Sequence, residues 1–518
     1  MRKQLLLLLL IAMCVWSCSK NGPEDKVTPT PTPTAVDSAG FASFKIEAKN
    51  NSGKIAADLN CTVTGDSIIA IVPEMTQNNK WVVTFDTKKT GTVVKVNDTL
   101  QTSGTTVTDF SRPVIYSLTS ATGAVKNYTV KLRVFTGLPV LYLTTTGPVV
   151  SKDTYVKGKI DIDPNVDVEQ PINHISLQIK GRGNSTWVLF PKKPYRLKFD
   201  AKAAFLGMPA AKNWVLLANY DDKTLMRTKI AFEYARRIKS DFAPQSRFVE
   251  VVMNGEFLGN YLLTSQVEVQ ENRVNITELK AASTDITGGY LVEIDSKLDE
   301  TNWFRTTLKN LPMTIKEPEE ITAPQLAYIK DYMNKTEAAL YSADWKDPNI
   351  GYAKYIDAES FMRWYMVNET VKNQDSWDFS SVFYYKNVNG KLSMGPVWDF
   401  DLSGGNCNYS PSQYFIDWYT RNGLWMIRLA QDPAWNFKWR AKWAEERPKA
   451  TSQIFSDIDY YSKYLQLSAA QNFKKWPTLD QYVWPNVVWL GTYDKEVQYY
   501  KAFMTQRVAW MDANINSY

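Results

Sequence analysis

Two aspartates, Asp399 and Asp401, stand two residues apart in an apolar frame, and Gly404 and Gly405 follow them closely. In an extended segment, residues two apart point to the same face, so both carboxylates are aimed at one place. Like charges held that close repel, and a bound cation is the usual compensation. The pattern predicts metal or carboxylate chemistry beside a flexible turn. The alternative is a polar loop whose aspartates cap a turn.

A second polar and acidic cluster lies upstream, at residues 368–375, and ends in Asp375. The chain has a single histidine, His174, in an alternating strand-like run, which excludes a multi-histidine metal site. Ser-His-Asp or Cys-His chemistry would depend on that one residue, and we interpret it as structural. Catalysis is therefore expected from carboxylates, lysine or a metal.

The composition indicates a folded protein that does not bind nucleic acid. Aromatic residues make up 13% of the 518 residues, and a net charge of +6 is mild at this length. Lysine and arginine are interspersed with acidic residues, without a basic block.

The N-terminus predicts a lipid anchor. Two basic residues precede an apolar run from Leu5 to Trp16, which is too short to span a membrane and is typical of a signal peptide over residues 1–17. The run ends in Val15-Trp-Ser-Cys18, which resembles the bacterial lipobox, so we expect Cys18 to be lipidated. Cys14 is the poorer candidate because Met13 precedes it. We therefore expect a cell-envelope protein anchored at the outer membrane, periplasmic or surface-exposed.

Two domains are expected after a Pro/Thr-rich tether at residues 18–39, whose alternating prolines keep it extended. Residues 40–137 contain short β-type runs separated by turn residues, which predicts an all-β sandwich. This part resembles the immunoglobulin-like spacers of envelope lipoproteins in Bacteroidetes-type bacteria; glycan or protein binding is the alternative to a stalk. Cys61 and Cys407 could form a disulfide in an oxidising envelope, but their spacing does not require it.

The pattern over residues 138–518 indicates strands first and helices later, which predicts an α+β domain that positions the acidic clusters. Hydrophobic periodicity predicts helices at 223–239, 355–371 and 492–514. Asn254-Gly255 predicts a hairpin with a type I′ turn.

Two further motifs are weak when taken alone. The segment Gly181-Arg-Gly-Asn-Ser-Thr-Trp187 is loosely like a phosphate-covering glycine loop, although its glycines equally fit a hairpin turn. A strand near 195–199 places Arg196 and Lys198 on one face, which suits phosphate binding or a solvated surface.

Taken in order, these motifs, with Asn213–Arg227, Asn254–Thr264, Gly288–Asp295 and Gly395–Asp401, resemble the CotH kinase family, named for a spore-coat protein kinase. The resemblance covers about 138–515. It implies an atypical two-lobed protein-kinase-like fold that binds ATP with Mg²⁺ or Mn²⁺ and phosphorylates Ser or Thr of proteins.

The resemblance also implies residue roles at the acidic clusters. Asp375 is similar to the catalytic-loop aspartate that accepts the substrate hydroxyl proton. Asp399 and Asp401 match the family's metal-holding pair. One departure concerns the fifth position after Asp375, where many kinases carry a metal-binding asparagine: this chain has Ser380 and then Ser381. Serine is a weaker metal ligand, which favours reduced activity.

Four residues are assigned to the nucleotide. Lys198 is expected to contact phosphate, with Glu268 as the partner that steadies it. Arg182 and Arg227 are expected either to touch phosphate or to brace the lobes.

Two hypotheses follow. The first is a lipid-anchored, ATP- and Mg²⁺-dependent kinase acting on Ser or Thr of envelope proteins. The second is a catalytically inactive CotH-like surface protein that binds a glycan or a protein partner through its aromatic residues. Intact Asp375, Asp399 and Asp401 favour the first hypothesis, whereas Ser380 and an envelope short of ATP favour the second.

Overall fold

The computed structural model describes residues 39–52, 54, 58–72, 80–134, 136–163, 172–377 and 379–517. The predicted signal peptide, Cys14, Cys18 and nearly all of the tether lie outside these residues, so those expectations stay predictions. Across the described ranges, none of the helices is both long enough and apolar enough to cross a membrane.

The N-terminal part of the described chain is all β and has a hydrophobic core of its own, centred on Phe41, Phe44 and Tyr116. Its strands form sheets in the orders β2-β1-β6, β3-β4-β11-β10-β7-β8 and β5-β9. The strands are β1 (Phe41–Ile46), β2 (Leu59–Asn60), β3 (Thr62–Thr64), β4 (Ser67–Val72), β5 (Lys80–Val82), β6 (Thr84–Thr87), β7 (Val93–Val96), β8 (Thr99–Leu100), β9 (Val107–Asp109), β10 (Val114–Thr119) and β11 (Val125–Val134).

A closed seven-stranded barrel follows, in the order β12-β13-β14-β15-β16-β18-β17. Alternate side chains fill its interior, as in β15, where Leu197 and Phe199 are buried and Lys198 between them is exposed. A parallel pairing of β12 with β17 closes the barrel. The strands are β12 (Val140–Thr145), β13 (Val156–Asp163), β14 (Ile172–Gly181), β15 (Tyr195–Phe205), β16 (Met208–Leu217), β17 (Ser246–Met253) and β18 (Glu256–Ser265).

The rest of the chain packs helices and a five-stranded sheet, in the order β20-β21-β19-β22-β23, around the largest hydrophobic core. The strands are β19 (Tyr290–Ile294), β20 (Trp303–Arg305), β21 (Pro312–Glu317), β22 (Val382–Lys386) and β23 (Leu392–Met394). The helices are α1 (Ser185–Leu189), α2 (Arg227–Arg237), α3 (Ala323–Tyr341), α4 (Ala358–Val371), α5 (Leu424–Leu429), α6 (Pro433–Glu446), α7 (Ser452–Tyr464), α8 (Gln466–Lys475) and α9 (Tyr493–Asn514), with a π-helical turn at Arg447–Thr451.

The mixed α+β prediction, with strands first and helices later, is confirmed. The Asn254-Gly255 hairpin is confirmed too, because φ is 52° and 84° at these residues, as a type I′ turn requires. Helices at 355–371 and 492–514 appear as α4 and α9. The helix expected from residue 223 begins only at Arg227, because the Asp222 side chain first accepts hydrogen bonds in a turn.

The structure shows the surroundings of Cys61, Cys407 and the single histidine. Cys61 and Cys407 are both free thiols, so the disulfide left open by the sequence is not formed in the structure. Burial raises the pKa of Cys61 to about 12. His174 lies on β14, with Nδ1 3.0 Å from an Asp161 carboxylate oxygen on the neighbouring strand β13.

Candidate functional site

Asp375 lies in the turn that follows helix α4. The helix begins at an Asp357 cap and ends where Lys372 adopts a left-handed conformation, with φ at 50°. The Asn373 amide then donates to Asn368 Oδ1 at 3.1 Å, which ties the turn back onto the helix. A short 3₁₀ turn at Gln374–Ser376 follows and carries Asp375.

Asp399 is held by a serine, Ser381, that lies just before β22. The Ser381 hydroxyl donates to Asp399 Oδ2 at 2.9 Å, and the Ser381 backbone N–H donates to Glu293 Oε1 at 3.1 Å. Ser381 is thus the serine after Asp375 that contacts a candidate metal ligand, whereas Ser380 is buried beside it.

The loop after Asp401 is packed against α9. Gly404 and Gly405 have φ of 58° and 77°, and a Cβ atom on them would lie 2.4 Å from Tyr500 and 2.6 Å from Phe503. Only glycine combines this backbone conformation with such a close approach. The two glycines therefore serve to seat the acidic loop on α9.

Asp375, Asp399 and Asp401 converge. One carboxylate oxygen from each lies within 4.8 Å of the others, and all three side chains are partly buried. Burial and the charges of its acidic neighbours raise the pKa of Asp375 well above its usual range, and the same causes raise the pKa of Asp401. Clustered oxygen ligands that repel one another are the donor set that a hard divalent cation prefers, so the residues fit Mg²⁺ or Mn²⁺.

A fourth carboxylate, Asp221, lies beside this cluster and was not singled out from the sequence. It follows β16, is 3% exposed, and no described donor reaches its Oδ1. Burial, with the charges of Asp222 and Asp399, raises its pKa to about 7, and it lies beside the Asp401 side chain. Its only sequence signal was its place in the family-like segment Asn213–Arg227, where two adjacent aspartates offered no basis for choosing one.

Arg182 is the arginine that the structure brings to the cluster. It lies between β14 and α1, with its guanidinium carbon 5.7 Å from the ring centroid of Trp398. Burial lowers its pKa, and the charges of Asp399 and Asp401 oppose that shift. The segment 181–187 runs from the end of β14 through a loop into α1, within the connection that joins the antiparallel pair β14 and β15, as the hairpin alternative for its glycines allowed.

Arg227 braces the site and does not face it. The side chain is 1% exposed and is ion-paired to Asp222; Nε donates to the Ser403 carbonyl at 3.1 Å. The guanidinium carbon lies 4.8 Å from the centroid of the Tyr500 ring. Of the two roles expected for Arg227, the structure supports the brace.

Lys198 and Glu268 do not form the expected pair. Lys198 is exposed on β15, whereas Glu268 bonds to Arg273 Nη1 and to the Asn213 amide, both at 2.6 Å. The expectation failed because strand alternation places Lys198 outside the barrel, and the sequence did not reveal that Arg273 lies next to Glu268.

A different lysine acts on the acidic centre. The positive charge of Lys297, which follows β19, opposes the effect of burial on the pKa of Asp375. Its own pKa is lowered by burial, while nearby charges including Asp295 and Asp399 oppose that change. It lies two residues beyond the family-like segment Gly288–Asp295, so the sequence motif stopped just short of it.

The geometry can be compared with known proteins. A solved structure of a glycoside hydrolase candidate from Bacteroides thetaiotaomicron is similar over 57% of this chain and 88% of its own, at 13% identity and a TM-score of 0.17, too low to support an argument. No curated protein matches the chain. The profile of the CotH kinase protein family matches residues 179–511, which include all four clustered aspartates and Arg182. This chain belongs to the CotH kinase protein family.

Proposed function

We propose that this protein is a divalent-cation-dependent kinase that transfers the γ-phosphate of ATP to Ser or Thr hydroxyls of envelope proteins, and that lipid on Cys18 anchors it. The observation that carries the proposal is the convergence of Asp375, Asp399 and Asp401 beside Arg182. In this proposal the barrel and the helical part with its five-stranded sheet act as the two lobes of a kinase-like domain.

Asp399 and Asp401 would hold the Mg²⁺ or Mn²⁺ ion. When bound, the ion neutralises the negative charge of the phosphates. Ser381 keeps the Asp399 carboxylate in place through its hydroxyl. Arg182 supplies a fixed positive charge for phosphate oxygens, because a guanidinium stays protonated even when partly buried.

Asp375 is the proposed base. As the acceptor oxygen bonds to the γ-phosphorus and the bond to the β-phosphate oxygen breaks, the hydroxyl proton passes to the Asp375 carboxylate and ADP leaves. An oxygen of Asp375 also lies in the 4.8 Å cluster, so the residue could instead serve as a third metal ligand. The two roles give different results on mutation.

The test is calorimetric titration with ATP, with and without Mg²⁺ or Mn²⁺, paired with phosphate transfer to envelope extracts. Asp399→Asn and Asp401→Asn should weaken cation-dependent nucleotide binding. Asp375→Asn should retain binding and lose about 10²- to 10⁴-fold in transfer if Asp375 is the base. If it is a ligand, binding falls as well. Asp331→Asn, an exposed change on α3, is the control.

A second candidate function is a catalytically inactive surface protein that binds a glycan or protein partner. Ser380, at the position where many kinases carry a metal-binding asparagine, is the observation that favours it. Wild-type protein that binds no nucleotide with Mg²⁺ or Mn²⁺ and transfers no phosphate would replace the kinase proposal with this one.

A further inference from the structure

Four aromatic side chains, Tyr409, Tyr482, Trp484 and Trp489, form an exposed surface that we call the aromatic platform. They are 52%, 49%, 39% and 47% exposed. The rings of Tyr409 and Trp484 are parallel within 8°, with centroids 5.6 Å apart, and those of Tyr482 and Trp489 meet edge to face at 5.4 Å. Large aromatic rings grouped in solvent are a common mark of a binding surface.

Hydrogen bonds join the two segments that carry the platform. The Asn408 backbone N–H donates to the Pro485 carbonyl at 2.9 Å, and its side-chain amide donates to the Tyr482 hydroxyl at 3.0 Å. The Asn486 amide continues inward and donates to the Asp221 carbonyl at 2.6 Å. The rings are therefore presented on a frame that is fixed to the acidic centre.

The platform lies on the Asp375 side of that centre. Gln374, the residue before Asp375, accepts hydrogen bonds from the Ser412 hydroxyl at 3.0 Å and from the Tyr419 hydroxyl at 2.9 Å. Burial, followed by the charges of Cys407 and Asp375, raises the pKa of Tyr409. The segment that carries Tyr409 is thus tied to the residue before the proposed base.

Charge indicates what the platform can bind. Charged residues make up 22% of the whole chain, yet residues 402–416 and 481–491 contain none. A phosphate, an anionic lipid headgroup or a highly charged peptide would gain little from such a surface. A neutral sugar offers apolar C–H faces that stack on rings and hydroxyls that pair with amides, and Gln413 lies in the same stretch.

We propose that the aromatic platform is a binding subsite for neutral saccharide units. The ring faces of Tyr409 and Trp484 stack on the sugar, and the surrounding amides and hydroxyls bond to its hydroxyl groups. That the bound saccharide belongs to the phosphoryl acceptor rests on the proposed kinase function, whereas saccharide binding itself does not depend on it.

The experiment titrates the full chain with neutral cello-, malto-, xylo- and manno-oligosaccharides, with polygalacturonate, and with uncharged and charged peptides. We expect at least one neutral oligosaccharide to bind. Trp484→Ala and Tyr409→Ala should each weaken it about tenfold, the loss of one aromatic contact. Tyr409→Phe keeps the ring and should retain affinity, which separates stacking from misfolding.

The matched control is Tyr460→Ala, because Tyr460 is 59% exposed and its ring is also stacked on a tyrosine, Tyr464, but it lies on α7. This variant should bind the oligosaccharide normally. Binding of peptide or polygalacturonate alone, or equal losses in Tyr460→Ala and Trp484→Ala, would overturn the proposal. ATP titration of the same samples reports separately on the kinase proposal, so either can fail without the other.

Discussion

At the scale of single residues, Asp221 is the most buried carboxylate of the acidic centre. Its Oδ1 has no described donor, and its carboxyl group lies beside that of Asp401. A buried polar atom without a partner lowers the stability of the fold, so the presence of Asp221 at this position indicates a functional role. Its location suits a group that binds the cation or orients a group that does.

We predict that Asp221→Asn weakens Mn²⁺ or Mg²⁺ binding by about tenfold, the effect expected when a ligand or its direct neighbour loses its charge. Calorimetric titration with the metal alone measures it. Asp331→Asn should bind the metal like wild type. Unchanged metal affinity in Asp221→Asn would show that this carboxylate is only structural.

Glu250 is a buried carboxyl in the barrel wall that gives a prediction about pH. Burial raises its pKa from 4.5 to about 7, although Ser468 donates to it at 2.6 Å and the charge of Lys192 opposes the shift. Because the folded-state pKa lies above the ordinary value, the stabilising contribution is fully present below pH 4.5 and is lost as the pH rises through about 7.

Glu250→Gln should remove this pH dependence. We expect the variant to be more stable than wild type at pH 8, by roughly 1–3 kcal/mol, and the difference to shrink towards pH 5. Urea unfolding at both pH values measures it, with the exposed Glu256→Gln as control. A constant difference between the two pH values would argue against titration of Glu250 in the folded protein.

The sequence predicted the site residues that belong to a local motif. It missed those that only tertiary contacts bring to the site. Asp399 and Asp401 stood out because two carboxylates two apart in an extended segment face one place. The structure brings them together by a different backbone, since φ is 62° at Asp399. Asp221 could not be chosen, because its role depends on approaching Asp401 from a different loop. A lysine on a strand fits a familiar phosphate-binding pattern, which points to Lys198 and gives no indication of Lys297. Only the direction of the barrel wall shows that Lys198 faces outward.

At the scale of elements, α9 supports the site through a buried ion pair. Arg507 Nη2 lies 2.6 Å from Glu369 Oε1, and both side chains are fully buried. Glu369 also accepts hydrogen bonds from the backbone N–H groups of Tyr419 and Arg421. The pair therefore joins α4, α9 and the loop between β23 and α5.

Arg507→Met should lower the free energy of unfolding by about 3–5 kcal/mol, because it leaves the Glu369 carboxylate buried without its partner. Chemical denaturation measures the loss. Arg447→Met removes a half-exposed pair with Asp512 and should cost less than about 1 kcal/mol. Equal losses in the two variants would show that burial of the Glu369 pair is unimportant.

Elements with a local signal were predictable, and their long-range pairing was not. Hydrophobic periodicity predicted the α4 and α9 helices, and the turn residues Asn254-Gly255 predicted the hairpin. Closure of the barrel depends on Val140 pairing with Glu250 and Leu141 with Val251, across more than half of the barrel's sequence, and alternation alone does not specify such a partner.

At the scale of the whole molecule, the all-β unit and the CotH-family part have separate cores. One contact between them is an ion pair of Arg112 with Asp161 at 3.8 Å. We predict that a chain beginning at Thr136, which retains the buried residues Thr136 and Leu138, binds ATP and cation like the full protein. Calorimetric titration with ATP and with the cation measures both affinities. A loss of either affinity would show that the all-β unit contributes to the site.

Membrane attachment is predicted from the sequence alone. Cys18→Ser should release the protein from membranes or leave it unprocessed, because the lipid is expected on this cysteine. Fractionation and mass spectrometry of the mature N-terminus measure this. Cys14→Ser serves as the control and should remain anchored. Lipid found on Cys14 would contradict the prediction.

The packing of α9 under the acidic loop has a consequence for the order of events in the proposed export of the chain. Tyr500, Phe503 and Arg507 support Gly404, Gly405 and Glu369, and α9 follows every acidic site residue in the chain. A polypeptide emerging N-terminus first from a translocation channel therefore presents all four aspartates before the helix that seats them. Assembly of the centre would then wait until α9 has crossed, so a partly exported chain would hold the four aspartates without the assembled acidic centre.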